Sequence, residues 1–450
     1  MNLGTNNKIQ KKGITLVIPN PCGNIKETKM KNSGIEWIGE IPDDWESIRL
    51  KYIYSTTKAK LPKQFYDDKN LTPYLSMDFI RDSINTEPVY AKDGDYCSEE
   101  DILILWDGSN AGEIVFNHPA GYAPSTTAIL KKLSTQSLPV YDKFYLKALE
   151  DDLRRNTNGM GIPHVNGSYL NNSLFLLPPK STQQRIASYL DKKCSKIEET
   201  IQNQQQVIEK LKAYKQSLIT EAVTGKVKIE NGKACGEYES YKDSGVEWIG
   251  KIPSEWEVKK LKFSSQIMRG LFSHRPRNDP DYYDGVHPFI QTGEVARAVK
   301  YITTYSQTLN ELGFSVSREF PAGTVLLTIA ANVGDVAILD FNACFPDSVI
   351  GFYPKENVSK IFMFYVLKSM KEQFMRNAII STQMNLNINI VKEEFIPLPS
   401  LAEQKEIVKF LEKKSDYIDT AIEQKQNLIE KLTEYKKSLI YECVTGKKEV

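Results

Sequence analysis

A long stretch that occurs twice constrains this chain most. The copies run from Ser181 to Lys226 and from Ala402 to Lys447, and matched residues lie 221 positions apart. Neither copy contains Pro, each has one Gly just before its end, and the apolar residues fall alternately three and four apart. Heptads sustained this long predict coiled-coil helices rather than ordinary surface helices. Each helix would be about 60 Å long at a rise of about 1.5 Å per residue.

The heptads define one seam on each helix. The first seam comprises Leu190, Cys194, Ile197, Ile201, Gln204, Ile208, Leu211, Lys215, Leu218 and Ala222. The second comprises Leu411, Ser415, Ile418, Ile422, Lys425, Ile429, Leu432, Lys436, Leu439 and Cys443. Polar residues recur at the same seam positions, and such residues fix register and orientation at some cost in stability. Two copies in one chain can pair with each other, and we expect them to pair antiparallel, with the two globular domains at opposite ends.

Capping signals bound both helices. Ser181 with Gln184, and Ser400 with Glu403, have the spacing of a capping box. Gly225 and Gly446 stand where a C-terminal cap is expected.

A second motif also occurs twice. Ser33 to Trp45 reads SGIEWIGEIPDDW, and Ser244 to Trp256 reads SGVEWIGKIPSEW, at a spacing of 211. Each copy carries two Trp residues with Gly and Pro between them. We interpret this anchor motif as a packing device that docks a domain onto its helix.

Two globular segments, 47–176 and 258–397, share a frame while most of their residues differ. In the first, β-type runs are predicted at Thr72–Phe79, Asp101–Trp106 and Thr126–Leu130, and a helix at Tyr141–Arg155. The chain is therefore a tandem repeat of the α/β class with pseudo-two-fold character. The expected parts are a loosely ordered extension (1–29), the first domain (30–179), the first helix (180–226), a polar linker (227–240), the second domain (241–399) and the second helix (400–447).

Composition excludes several classes. A net charge of +1 and a pI near 7.5 exclude a generally polycationic nucleic-acid binder, so a binding surface must be local. The six Cys include no C-x-x-C pair, which favours a reducing compartment and no metal site. No apolar run is long enough for a membrane span, so we expect a soluble, cytoplasmic protein. No phosphate- or dinucleotide-binding loop is present and no Ser/His/Asp spacing is persuasive, so we expect no catalytic centre and no cofactor.

Recognition side chains cluster instead in the expected loops. Arg reads guanine edges and Asn or Gln reads adenine edges, although any one of these residues is more often a solvated loop charge. The candidates are Lys58, Lys60, Lys63, Asn110, Arg154, Arg155, Asn158, Arg269, Ser273, His274, Arg275, Arg277, Arg297, Asn332, Arg376, Gln383, Asn385 and Asn387. Apolar residues outside the helix seams repeat in both copies and suggest a protein-binding face. These are Val207, Tyr214, Leu428 and Tyr435.

Residues 30–450 resemble the specificity subunit of type I restriction–modification systems. The resemblance rests on the anchor motif, the Leu-Pro entry to each helix, the Val-Thr-Gly-Lys ending and the duplicated plan. It implies two target recognition domains that each read half of a bipartite DNA sequence. It also implies paired helices that act as a spacer and dock two methyltransferase subunits, with restriction subunits joining through the complex, and no enzymatic activity in this chain. The extension at 1–29 departs from the family pattern. A coiled-coil scaffold that does not touch DNA is the alternative.

Overall fold

The computed structural model describes residues 29–82, 85–159, 161–379 and 385–450. The candidate Gln383 and all but the last residue of the extension lie outside these residues. The chain divides into two compact units, one of Met1–Asn203 with Asn427–Val450 and the other of Gln204–Gln426. Each unit thus holds one globular domain together with parts of both long helices.

The first unit begins with a mostly antiparallel domain. Its strands are β1 (Met30–Asn32), β2 (Glu40–Pro42), β3 (Glu46–Arg49), β4 (Tyr54–Lys58), β5 (Phe65–Tyr66), β6 (Thr72–Tyr74), β7 (Val89–Ala91), β8 (Tyr96–Cys97), β9 (Ile102–Leu105), β10 (Ile114–Val115), β11 (Gly121–Tyr122), β12 (Thr127–Lys132) and β13 (Leu174–Leu177). Its helices are α1 (Met77–Arg81), α2 (Pro139–Arg155), α3 (Gly167–Asn172) and the first part of α4 (Lys180–Val223). One sheet has the order β10-β9-β12-β4 and another has the order β5-β7-β6-β11-β8.

The second unit repeats this plan. Its strands are β14 (Lys228–Glu230), β15 (Lys233–Gly236), β16 (Tyr241–Asp243), β17 (Lys251–Pro253), β18 (Glu257–Lys260), β19 (Ser265–Arg269), β20 (Tyr283–Phe289), β21 (Tyr301–Ile302), β22 (Gln307–Leu309), β23 (Glu319–Phe320), β24 (Val325–Thr328), β25 (Val336–Leu339), β26 (Ala343–Cys344), β27 (Val349–Pro354) and β28 (Phe395–Leu398). Its helices are α5 (Leu261–Ser264), α6 (Thr292–Arg297), α7 (Glu311–Ser315), α8 (Lys360–Ser369), α9 (Lys371–Ile379), α10 (Ile388–Glu393) and the first part of α11 (Leu401–Val444). The sheet β19-β27-β24-β25-β21 corresponds to β4-β12-β9-β10, and a second sheet runs β22-β20-β26-β23.

Most predicted elements of the first domain form close to their expected positions. The runs at Asp101–Trp106 and Thr126–Leu130 contain β9 and most of β12, and the helix expected at Tyr141–Arg155 is α2. The strand prediction at Thr72–Phe79 is wrong beyond Tyr74. Ser76 accepts a hydrogen bond from the Phe79 backbone N–H and caps α1, which takes up the second part of that run.

The two long helices begin differently. At α11 the capping box is confirmed, because the Ser400 hydroxyl accepts from the Glu403 N–H and the Glu403 carboxylate accepts from the Ser400 N–H. At α4 the capping box predicted for Ser181 is wrong. The helix begins at Lys180, and the Pro179 carbonyl already accepts from the Thr182 and Gln183 N–H groups. Pro179 therefore occupies the N-cap position, two residues before the predicted Ser181.

The glycine caps are confirmed at both helix ends. Gly225 and Gly446 have φ of +71° and +73°, the left-handed region that favours glycine. A Cβ on Gly225 would lie 2.4 Å from Pro253 Cδ, and one on Gly446 would lie 2.3 Å from Pro42 Cδ. Each anchor motif thus packs on the end of the other repeat's helix. The interpretation that the motif docks a domain onto its own helix did not include this contact.

Buried glutamines fasten each domain to the start of its own helix. Gln183 Oε1 accepts from the Leu138 N–H, and its amide donates to the carbonyls of Gln136 and Pro178. Gln404 makes the same three bonds, to Ser359, Asn357 and Pro399. Both side chains are buried. This network fixes the loop before α2 and before α8 against the long helix.

The segment expected as a linker, 227–240, contains the hairpin β14–β15. Ile229 in β14 is buried in the core of the second unit. All the positions assigned to the helix seams are buried or half-buried, as the heptads predict.

Candidate nucleic-acid interface

In the first domain, one edge of the β10-β9-β12-β4 sheet gathers several candidate residues around Asp107. Lys58, the last residue of β4, places its Nζ 2.7 Å from Asp107 Oδ2. His164 Nδ1 lies 2.6 Å from the other carboxylate oxygen. Asn158 and His164 exchange two backbone hydrogen bonds of 2.8 Å. Asp107 and His164, which the sequence analysis did not select, therefore bring Lys58 and Asn158 to one place.

The hydrogen-bond partners of Asp107 stabilise its ionised form. Burial alone would raise the pKa of this carboxyl, but hydrogen bonds from Lys58 and His164 outweigh burial, and the pKa is lowered. The carboxylate thus stays ionised and keeps the Lys58 ammonium oriented at the sheet edge. The Asp-Gly pair at 107–108, separated by one residue from the buried strand β9, was the sequence signal that could have identified Asp107.

Asn110 and Arg154 lie beside the same edge. Asn110 is in the turn between β9 and β10, where its carbonyl accepts from the Glu113 N–H. A Cβ on Gly112 in this turn would lie 3.2 Å from Arg154 Cγ, so Arg154 packs on the turn. Arg155 is exposed and lies 3.7 Å from Asp152, one turn back on α2.

Lys60 and Lys63 are exposed and extend from the end of β4. Their backbone N–H groups donate to Asp95 and Asp93, at 2.7 and 3.1 Å. These bonds fix the loop and leave both ammonium groups at the surface.

In the second domain, Asp347 collects three of the predicted arginines. Arg269 Nε donates to the Asp347 carbonyl at 2.5 Å, and Arg275 Nη2 lies 3.4 Å from its Oδ2. Arg277 forms an ion pair with Oδ1. Arg318, which was not selected, donates to the Arg269 carbonyl at 3.1 Å. The Pro-Asp pair at 346–347 gave no distinctive sequence signal.

The two clusters occupy equivalent places in the repeat. Lys58 pairs with Ala128 of β12 and Arg269 pairs with Ile350 of β27, each at the same step of the corresponding strand pair. A basic residue thus ends the same strand in both domains. The carboxylates come from different loops, Asp107 from the β9–β10 turn and Asp347 from the loop before β27.

Ser273 and His274 continue the arginine loop. The Ser273 hydroxyl donates to the Val316 carbonyl at 3.3 Å. His274 stacks on Tyr282 with ring centroids 3.8 Å apart, and its Nε2 lies 3.0 Å from Asp279 Oδ2. Arg277 lines a neighbouring groove of about 440 Å³ that also exposes Gln291 and Gln307.

The structure does not gather the remaining candidates around Asp347. Arg297 ends α6 and pairs with Glu294 at 3.2 Å, while Arg376 is exposed on α9. Asn332 is exposed in the β24–β25 turn, the counterpart of Asn110. Asn387 caps α10 by accepting from the Asn389 N–H, and Asn385 is exposed just before it.

The candidate protein-binding residues lie at the surface of the long helices. Tyr214, Tyr435 and Leu428 are 54%, 52% and 42% exposed, and Val207 is half-buried. Within the described part of the chain, no group of His, Cys, Asp and Glu residues could hold a metal ion. The helices described include none that is long and apolar enough to cross a membrane.

Comparison with known proteins defines the class. The sequence model of the type I restriction modification DNA specificity domain matches residues 42–212 and 253–432, once in each repeat. These matches cover most of the chain, which therefore belongs to this family. The prediction of a specificity subunit, as opposed to a catalytic one, is confirmed.

Individual relatives agree with the family. The chain is 28% identical over 407 residues to the type I restriction enzyme MjaVIII specificity subunit of Methanocaldococcus jannaschii, covering 84% of this chain and 88% of that protein. It is 24% identical over 423 residues to the EcoBI specificity subunit of Escherichia coli, covering 89% and 85%. A solved chain from a study of complex assembly and conformational transition of the type I R-M system has a TM-score of 0.65 at 14% identity. That alignment covers 91% of this chain and 99% of the solved one, and it shows a shared fold.

Proposed function

We propose that this chain is the DNA-recognition subunit of a type I restriction–modification complex and that each domain reads one half of a bipartite target. The observation that carries the proposal is the repeated basic strand end, Lys58 and Arg269, which in each domain contacts an aspartate residue beside further candidate recognition side chains. It occurs in both repeats of a chain whose family is defined as a DNA specificity domain. Two reading surfaces, one in each repeat, suit a target with two parts.

The two aspartate carboxylates orient neighbouring basic side chains before DNA binds. Asp347 orients the forks of Arg275 and Arg277 before binding, so less side-chain freedom is lost when they meet a guanine edge. Asp107 orients the ammonium group of Lys58 in the same way. An oriented ammonium group suits a contact with a DNA phosphate. Phosphate contacts position the domain, and the arginine and asparagine side chains select the sequence.

The spacer in this proposal is the pair of long helices, running antiparallel. In the second unit, Lys425 Nζ donates to Gln204 Oε1 at 3.0 Å and Lys215 Nζ lies 2.6 Å from Asp419. From Gln204 to Lys215 along α4, the partner moves back from Lys425 to Asp419 along α11, as an antiparallel pair requires. In the first unit, Lys436 forms an ion pair with Glu198, the counterpart of Lys215 with Asp419 at the 221-residue spacing. The repeated ion pair supports one register for both units.

The same proposal assigns partners. Two methyltransferase subunits would dock on the helix faces that carry Val207 with Tyr214 and Leu428 with Tyr435, and restriction subunits would join through that complex in the cytoplasm. Exposed aromatic residues are typical anchors of protein interfaces. The repeat of these residues in both helices fits two copies of one partner.

Salt-dependent DNA binding separates this function from a scaffold that does not touch DNA. We expect the full chain, assembled with its methyltransferase subunits, to bind duplex DNA with an affinity that falls steeply between 50 and 200 mM salt. Arg275→Ala with Arg277→Ala should weaken binding by at least about tenfold. Arg49→Ala is the control, because Arg49 is exposed on β3 and is not among the candidate DNA-binding residues. Salt-independent or absent binding by the intact complex would support the scaffold.

A further inference from the structure

The groove of about 440 Å³ beside the arginine loop of the second domain contains two glutamines that contact each other. Gln291 Nε2 donates to Gln307 Oε1 at 2.9 Å. Gln291 is half-buried and Gln307 is exposed. We call these two residues the amide pair. Arg277 lines the same groove, so the amide pair lies beside one of the candidate DNA-binding arginines.

Aromatic side chains give this groove a rigid wall. Phe272 and Phe289 are buried, and their ring centroids lie 5.3 Å apart. Tyr283 packs against both rings, at 5.8 and 6.1 Å, and its hydroxyl donates to the Arg277 carbonyl. All three aromatic residues line the groove. Because packing holds these side chains, the groove presents its polar groups at fixed positions.

The start of α6 fixes the first member of the amide pair. Gln291 and Glu294 form a capping box, in which the Gln291 side chain faces the Glu294 backbone N–H and the Glu294 carboxylate accepts from the Gln291 N–H at 3.0 Å. Gln is not among the residues that N-cap positions prefer, but its long side chain reaches Gln307. The buried Glu294 carboxylate also accepts from the hydroxyl of Ser306, the residue before Gln307. One carboxylate therefore holds the backbone at both members of the amide pair.

The capping box decides the orientation of the Gln307 amide group. A glutamine amide has one acceptor oxygen and an amino group that donates twice. The Gln291 oxygen faces the Glu294 N–H, so the Gln291 amino group is the one that meets Gln307. Gln307 therefore accepts through Oε1, and its amino group points away from Gln291. The exposed Gln307 thus offers a donor and the second lone pair of its oxygen side by side to a ligand.

The first domain has the same strand frame at this place but different side chains. Phe289 of β20 pairs with Gln307 of β22, as Tyr74 of β6 pairs with Val89 of β7. Ser76 caps α1 at the position that the glutamine of the capping box holds at α6. Ser76 and the exposed Val89 therefore stand where the second domain has the amide pair. Since the frame forms in the first domain without an amide pair, the pair is not required for the fold.

From these observations we infer that Gln307 is a specificity-determining residue that reads an adenine in the half-site of the second domain, with Gln291 as its positioning residue. A glutamine amide recognises adenine by donating to N7 and accepting from the N6 amino group. Gln307 presents both groups in an orientation that is fixed before binding, so little side-chain freedom is lost. Val89 cannot make these two hydrogen bonds, so the first domain does not select adenine through the equivalent position. This inference rests on the proposed function of the chain.

The amide pair also places the adenine within the half-site. Arg277 lines the same groove and suits a guanine edge. The adenine read by Gln307 is therefore expected beside a base pair whose selection depends on Arg277. This neighbourhood gives the inference a position in the target at which it can be tested.

Selection of duplexes from a random DNA library tests the assignment, with the full chain assembled with its methyltransferase subunits. The parent complex should select an adenine in the half-site that Arg277→Ala relaxes. Gln307→Leu should lower the preference for adenine at that position by about tenfold and leave the other selected positions unchanged. Gln266→Leu is the matched control and should change no position, since Gln266 is exposed on β19 of the same domain and does not line the groove.

Gln307→Glu provides a second readout, which a loss of folding could not produce. The carboxylate keeps the size of the side chain but only accepts hydrogen bonds, so the selected base should change from adenine to cytosine, whose amino group donates. Gln291→Leu should weaken the preference for adenine without moving it to another base, because Gln307 then keeps both groups and loses only its fixed orientation.

The outcomes separate this inference from the proposed function. A Gln307→Leu complex that still selects adenine at that position, or that relaxes both half-sites equally, would overturn the inference and leave DNA recognition by the chain intact. An unchanged preference for adenine in Gln307→Glu would do the same. A parent complex that selects no sequence would overturn the proposed function and, with it, this inference.

Discussion

At the residue scale, one half-buried lysine of the second unit is in an unfavourable place. Burial and the nearby positive charge of Lys215 lower the pKa of Lys368 to about 8. The folded chain therefore loses this proton first, and between about 8 and the ordinary lysine value near 10.5 the unfolded chain binds more protons. In that range the contribution of Lys368 to the free energy of unfolding rises with pH.

Lys368→Met should therefore stabilise the second unit below pH 8, by about 1–2 kcal/mol, with the advantage shrinking as pH rises towards 10.5. Urea unfolding at pH 7 and pH 9.5 measures the change. Lys147→Met is the matched control, since Lys147 is the counterpart of Lys368 and its ammonium is paired with Glu150 at 2.6 Å. A stabilisation that is equal at both pH values would contradict this account.

The buried glutamines give a second test at this scale. Gln404→Leu leaves the Ser359 N–H and the carbonyls of Asn357 and Pro399 without their partner and should lower the free energy of unfolding by about 1–3 kcal/mol. Gln183→Leu should cost a similar amount, because it removes the same three bonds. Gln184→Leu, at an exposed position of the same helix, should change stability by less than about 0.5 kcal/mol. Thermal unfolding of the three variants ranks them.

At the element scale, heptads and glycines predicted the long helices well, because a seam and a left-handed cap are local properties of the sequence. Ser181 shows a limit of prediction from local sequence. Ser181 and Ser400 both have the capping-box spacing, but only Ser400 forms a capping box. The proposed recognition surface was partly predictable. Arg275 and Arg277 were visible as a basic cluster, but Asp347, which holds them, comes from a loop seventy residues away in sequence.

The outer face of α4 carries the element-scale prediction. Val207→Lys with Tyr214→Lys should abolish co-purification with the methyltransferase subunit and leave the helical circular dichroism unchanged, since the seam residues are not altered. Gln202→Lys with Gln206→Lys adds the same charge at exposed positions of the same helix and should leave assembly intact. Unchanged co-purification of the first variant would remove this face from the interface.

At the scale of the whole molecule, each half of the chain contains one copy of every repeated part. Residues 30–225 hold one anchor motif, one domain and one helix, and the first domain also needs contacts such as that of Tyr141 with the Val444 carbonyl. A second copy of residues 30–225 can supply the equivalent carbonyl at Val223, the counterpart of Val444 at the 221-residue spacing. Two copies should therefore associate through the seam and, with the methyltransferase, modify an interrupted palindrome of the first half-site. Modified sites that keep the second half-site would contradict this modularity.

The most direct test of the central claim is the methylation pattern of a host that expresses the complex with Arg275→Ala and Arg277→Ala in this chain. If each domain reads its own half of the target, the half-site read by the first domain stays fixed in the modified sequences and the other half-site becomes degenerate. Modified sites in which both halves are unchanged, or both are relaxed to the same extent, would contradict the account.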